Sequence, residues 1–166
     1  MSATILTMDT PDGPFTIISS AGAVLASGWT DGPQALVGQI HPTLLPDSFT
    51  TVPSLGPVSD AVTAYYDGEL GLIGGIAVRQ HSGPFRSRAW EVLRAVRPGS
   101  PVSYTDYAAL SGNPKAVRAA ASACAFNAAA LFVPCHRVVR NDGSLGGFRW
   151  GLPLKESLLA REAAAL

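Results

Sequence analysis

Apolar positions fall in short runs between turn residues at the start of the chain and at helical spacing in the second half. Thr4 to Met8 and Phe15 to Ile18 read as short strands joined through Pro11-Asp12-Gly13, and Val24 to Trp29 supplies a third. Pro42, Pro46, Pro53 and Pro57 break residues 38–57 and predict a long irregular connection. A short helix follows over Ser59 to Tyr66. Gly71, Gly74, Gly75 and Gly83-Pro84 then punctuate a stretch with room for one more strand and a linker. Beyond it, Ala89, Leu93 and Val96 with Trp90 beside them mark an amphipathic helix that Pro98-Gly99 stops. Thr105 is placed to cap a second helix through Leu110. Gly112-Asn113-Pro114 makes a tight turn, and Pro114 suits the start of a third helix from Lys115 to about Ala125. Helix, Gly-containing turn, helix is the helix-turn-helix pattern. A last helix near Lys155 to Ala164 turns Leu158 and Leu159 toward a core. The expected fold class is therefore a two-part α/β protein: a small amino-terminal sheet domain (1–78), a linker (79–84) and a mainly helical carboxy-terminal domain (85–166).

Composition places this pattern in a folded chain, since 47% of the 166 residues are apolar and 14% charged. The formal net charge of zero conceals a segregation. No Lys or Arg precedes Arg79, whereas seven Asp or Glu do; from Arg79 onward twelve basic residues face five acidic ones. Either chance or a polyanionic partner for the carboxy-terminal half accounts for that split. Two cysteines are too few for a disulfide scaffold, and the start of the chain lacks the basic residues of a signal peptide. A cytoplasmic protein is expected. The uncharged stretch between Arg118 and His136 is mostly Ala, contains Asn127 and Pro134, and makes a poor membrane span.

The chemistry concentrates in Val133-Pro134-Cys135-His136-Arg137-Val138. A thiol reacts as thiolate, so Cys135 needs a neighbouring base, and His136 follows it directly. On a strand the two side chains would point to opposite faces, but a turn after Pro134 brings the imidazole within one water of the sulfur. The distant Glu162 is a candidate to orient His136 from behind. Metal binding and inert burial are the competing readings. His41, His81 and His136 are too scattered to give a zinc set. Inert burial fits Cys124, whereas the neighbours of Cys135 favour reactivity.

Pro134-Cys135-His136-Arg137-Val138 resembles the active-site signature of the O6-alkylguanine-DNA alkyltransferases. Trp90, Ser103-Tyr104, Gly112-Asn113-Pro114, Lys115-Ala116 and Arg118-Ala119 resemble that family upstream; Asn141, Gly143, Gly147, Lys155-Glu156, Leu158-Leu159 and Glu162 do so downstream. Thr10-Pro11-Asp12-Gly13-Pro14 and residues 64–70 match more loosely. The resemblance implies a ribonuclease H-like sheet domain, and a DNA-binding monomer that moves an alkyl group from O6 of guanine to Cys135 in a single turnover. It leaves O4-alkylthymine and cooperative binding on DNA open. His136 would activate Cys135 through water, Glu162 would orient His136, Asn127 would brace the turn, and Tyr104 would give a proton toward guanine. Backbone groups of Cys135 and Val138 would read the base. Phe148, Arg149 and Trp150 would line its pocket, with the Arg149 amide reaching O6. Arg118 would fill the space of a flipped nucleotide, while Ala119, Ser122 and Ala125 approach the minor groove of double-stranded DNA. No metal, cofactor or membrane is implied. Ala119-Ala120-Ala121-Ser122, Ala125, Ala128 and Phe148-Arg149-Trp150 depart from the usual family residues. The alternatives are a non-catalytic binder of alkylated DNA that recruits other repair factors, a cysteine hydrolase and a transcription factor. None of the three needs the Cys135-His136 pair on a helix-turn-helix.

Overall fold

Short apolar runs separated by turn residues in the first thirty residues form an antiparallel meander of β1 (Ser2–Thr10), β2 (Gly13–Ser20) and β3 (Ala23–Gly28), the last two buried on both faces. Gly13 closes the first turn at φ 102°, a conformation that disfavours a side chain. There the Thr10 hydroxyl donates to the Gly13 carbonyl at 2.7 Å and accepts from the Asp12 amide at 3.1 Å. Phe15, Ile17, Ile18, Val24 and Ala26 are fully buried. A fourth strand, β4 (Ser48–Thr51), pairs in parallel with β1 and completes the order β3-β2-β1-β4. It lies inside the segment expected to be irregular. All four of its residues are exposed, so no apolar alternation marks it, and backbone pairing alone defines it. The expected further strand near Gly71–Pro84 is instead a 3-10 turn at Leu72–Gly75 and a single bridge from Val24 to Val78. Helices α1 (Gln34–Val37) and α2 (Pro57–Tyr66) bury Leu36, Val62 and Tyr65.

The computed structural model describes residues Met1–Leu166 and divides them into two compact units. The first is Met1–His81 with Ala128–Phe132; the second is Ser82–Asn127 with Val133–Leu166. Five residues of the carboxy-terminal half therefore belong to the first unit, a detail absent from the division at 79–84. Ser27 holds them: its amide donates to the Ala128 carbonyl at 2.8 Å and its hydroxyl to the Ala130 carbonyl at 2.7 Å. The Ala128 amide donates to Gln80 Oε1 at 3.0 Å, a bond that a proline at this position could not make.

In the second unit the helical pattern yields α3 (Pro84–Ala95), α4 (Tyr104–Leu110), α5 (Val117–Ala125) and α6 (Leu152–Ala164). The strands β5 (Val102–Ser103) and β6 (Val138–Val139) pair in parallel. Buried aromatic donors tie the helices together. Trp90 of α3 donates to the Ala123 carbonyl at 2.8 Å, and Tyr107 of α4 to the Ala89 carbonyl at 2.8 Å. Val96, expected within α3, lies just past its end. Ser103, not Thr105, caps α4 by accepting from the Asp106 amide at 3.0 Å, whereas the Thr105 hydroxyl accepts from Asn141 Nδ2 at 2.7 Å. Helix α5 starts later than expected because the Asn113 side chain and carbonyl capture the amides of Lys115 and Ala116 in a turn. No helix is long and apolar enough to cross a membrane.

Candidate active site

Cys135–Arg137 form one 3-10 turn that leads into β6. Asn127 fixes its approach, donating from Nδ2 to the Val133 carbonyl at 2.8 Å. A short turn frees consecutive side chains from opposite-face alternation, and His136 and Arg137 both point to α6. His136 Nε2 is 2.6 Å from Glu162 Oε2, with both side chains buried. Arg137 reaches the same carboxylate twice, through Nε to Oε1 at 2.8 Å and Nη2 to Oε2 at 3.2 Å, and donates from Nη1 to the Val96 carbonyl at 2.8 Å. Lys155, Leu158 and Glu162 are the buried face of α6, so helical spacing delivers the carboxylate.

Burial alone would raise the Glu162 carboxyl, but the hydrogen bonds and charges of His136 and Arg137 outweigh it and bring it down to about 2. Burial pulls His136 below its ordinary value despite the carboxylate beside it. The neutral imidazole then donates Nε2–H to Glu162, and Nδ1, which bonds no protein group, keeps its lone pair. Cys135 is half-buried and in no disulfide. Burial pushes its thiol up, while a hydrogen bond from Asn127 and the charges of Lys155 and Arg149 pull in the other direction without cancelling the rise. The resting group is a thiol that needs a base. Cys124, also free, is pushed up further, again by burial.

Tyr104, at the start of α4, has its hydroxyl raised to about 12 by burial and then by nearness to Cys124 and Cys135, so it carries its proton at neutral pH. A Cβ on Gly146, whose φ is 74°, would lie 3.1 Å from the Tyr104 ring and 3.2 Å from its hydroxyl. Val138 is fully buried, and its carbonyl accepts from Lys155 Nζ at 2.7 Å. Lys155 also donates to the Gly147 carbonyl at 3.2 Å and has no carboxylate partner. Phe148 and Trp150 are half-buried on the segment before α6. Arg149 is exposed and its Nη2 donates to the Ala125 carbonyl at 2.7 Å. Arg118, Ala119 and Ala125 are exposed on α5, and Ser122 accepts from Arg86 Nη2 at 2.9 Å.

The turn, α4 and α6 thus bring Cys135, His136, Glu162, Asn127 and Tyr104 together, while the α5 residues form a separate exposed face. Sequence reasoning assigned no role to Arg137, Lys155 or Gly146. For the first two a signal existed, since a cation in an apolar stretch needs a buried partner. Gly146 carries no such signal, because its importance lies in the ring it faces.

A family profile described as 6-O-methylguanine DNA methyltransferase, DNA binding domain, matches residues 84–164. The Escherichia coli bifunctional transcriptional activator/DNA repair enzyme Ada is 54% identical over 79 residues, covering 48% of this chain and 22% of that protein. A methylated-DNA–protein-cysteine methyltransferase of Salmonella typhimurium is 36% identical over 111 residues, 67% of this chain and 65% of that one. Each of these relatives is covered over less than two thirds of its length. The solved structure of Mycobacterium tuberculosis OGT in complex with DNA superposes with a TM-score of 0.80 at 28% identity, over 98% of this chain and 94% of that one. Profile, relatives and solved structure agree, and the chain belongs to the O6-alkylguanine-DNA alkyltransferase family.

Proposed function

We propose that the protein repairs alkylated DNA by moving the alkyl group from O6 of guanine to Cys135, irreversibly and once per molecule. The observation that carries this reading is the buried pair of Glu162 with His136 on the 3-10 turn that begins at Cys135, in which a carboxylate holds one nitrogen of a neutral imidazole and leaves the other without a protein partner. His136 Nδ1 takes the Cys135 proton through a water, and Sγ attacks the alkyl carbon. The C–S bond forms as the C–O bond breaks, the bonding pair stays on guanine, and Tyr104 supplies a proton to the departing base. The imidazolium proton passes through solvent to the tyrosinate, so protons balance. A thioether is neither acidic nor a ready leaving group, which makes the step final.

The remaining residues take roles around this step. Asn127 braces the turn, and backbone groups of Cys135 and Val138 read the base, the Val138 carbonyl oriented by Lys155. Phe148, Arg149 and Trp150 line the alkyl pocket. The α4–turn–α5 segment acts as a helix-turn-helix in the minor groove of double-stranded DNA, with Ala119, Ser122 and Ala125 close to it and Arg118 in place of the flipped nucleotide. The four-stranded unit is read as a ribonuclease H-like sheet, and the protein as a monomer.

Mass spectrometry after incubation with duplex DNA containing O6-methylguanine tests the proposal. One methyl mass on the Cys135 peptide is expected. Cys135→Ser is expected to abolish the gain while keeping DNA binding; binding without any gain in the wild type selects a non-catalytic recruiter, and joint loss in the variant makes Cys135 structural.

A further inference from the structure

Phe126, just past the end of α5, is 60% exposed, an unusual position for a phenylalanine on a unit with a well-filled core. Its ring is held from one side. The Arg86 guanidinium sits 4.5 Å from the ring centroid, and its Nη2 donates to the Ser122 hydroxyl one turn back on α5. On the preceding residue, Arg149 Nη2 occupies the Ala125 carbonyl. Two arginines therefore fix the end of the helix and the ring, and leave the other face of Phe126 open.

At 100° per residue, Arg118, Ala119, Ser122, Ala125 and Phe126 fall within one arc of about 120°. Phe126 continues the helix face that begins at Arg118, about 12 Å away along the axis at 1.5 Å per residue, which is between three and four base-pair steps of duplex DNA. The charge of the face is one-sided. Lys115, Arg118, Arg86 and Arg149 surround it, and residues 111–126 contain no Asp or Glu. A smooth alanine strip between a cation and an exposed ring suits a polyanion with apolar sugar and base edges in a narrow groove.

Resting on the DNA-repair reading above, we infer that Phe126 is a second DNA contact of α5, an apolar wedge against the minor groove away from the flipped nucleotide. Arg86 is its positioning residue. The ring adds affinity for duplex DNA without entering the base pocket, since removing an aromatic stacked on nucleic acid commonly costs several-fold or more in affinity.

Binding of undamaged duplex is measured by fluorescence anisotropy over a range of salt, beside methyl transfer from duplex and from free O6-methylguanine base. Phe126→Ala is expected to weaken duplex binding about tenfold with an unchanged salt slope, and to lower the duplex rate far more than the free-base rate. Phe126→Trp restores binding. Arg86→Ala weakens binding in the wild type but adds little in the Phe126→Ala background, because it acts through the ring. An unchanged duplex affinity in Phe126→Ala, or an equal fall on both substrates, overturns the wedge. Additive loss with a lower salt slope for Arg86→Ala overturns the positioning role. Wild-type protein that gains no methyl mass overturns the repair reading itself, a result distinct from these.

Discussion

Glu162 accepts one hydrogen bond from His136 and two from Arg137, and its removal leaves two nitrogen groups buried without their acceptor. Breaking a buried pair on one side costs about 3–5 kcal/mol, so Glu162→Gln is expected to lower stability by about 3 kcal/mol in urea denaturation. The same variant separates rate from stability. In the wild type, burial depresses His136 below its ordinary 6.5, so the transfer rate should stay constant at neutral pH and fall on an acid limb below pH 6.5. The carboxylate props the imidazolium up, so Glu162→Gln should move that limb to still lower pH and slow the plateau. For stability the signs agree between the two groups. Unfolded His136 binds a proton at higher pH than folded His136, and unfolded Glu162 does so near 4.5 against about 2. Stability is therefore lost as pH falls below about 6.5, and further as pH drops from about 4.5 toward about 2. A stability maximum on the acid side of pH 6 would contradict this. Trp150 raises a different question at this scale. The indole is half-buried beside Arg149, where a filled alkyl pocket would accept methyl and resist larger groups. Wild type is expected to react far more slowly with O6-benzylguanine than with O6-methylguanine in DNA, and Trp150→Gly to speed the benzyl reaction selectively. An unchanged rate ratio places the ring outside the pocket.

Among the elements, α5 carries a prediction of its own. Arg118 is exposed at its first turn. If it fills the stack after base flipping, Arg118→Ala slows repair of duplex DNA much more than reaction with a free base, because only the duplex pays the few kcal/mol of unstacking. Equal slowing of both removes that role. The elements also show where pattern reading succeeds. The apolar run within Thr4 to Met8 and the apolar spacing of Ala89, Trp90 and Leu93 marked β1 and α3 because those side chains are the ones packing buries. The exposed Ser48–Thr51 strand has no such side chains and stayed hidden. Ends were displaced for a related reason: Ser103, Thr105 and Asn113 are all able to bond nearby amides, and the packing around them selects which one does so.

For the molecule as a whole, charge follows structure closely. Of the twelve basic residues all but Arg79 lie in the second unit, and of the twelve acidic residues seven lie in the first. Duplex binding is expected to weaken steeply with salt, with log affinity falling linearly in log salt concentration, and a salt-independent affinity would speak against phosphate contact. What the chain determined by itself is local: the meander, the long amphipathic helices, the electrical split, and a thiol beside an imidazole in a recognisable signature. Each rests on the period or adjacency of neighbouring residues. Contacts between residues distant in sequence were decided by tertiary structure alone. Arg137 shares Glu162 with His136 across 25 residues, Lys155 seats on the Val138 and Gly147 carbonyls, and Ala128–Phe132 joins the first unit through Ser27 about one hundred positions earlier. No periodicity encodes such pairs, because what selects them is the need of a buried charge or amide for a partner once packing has closed off water.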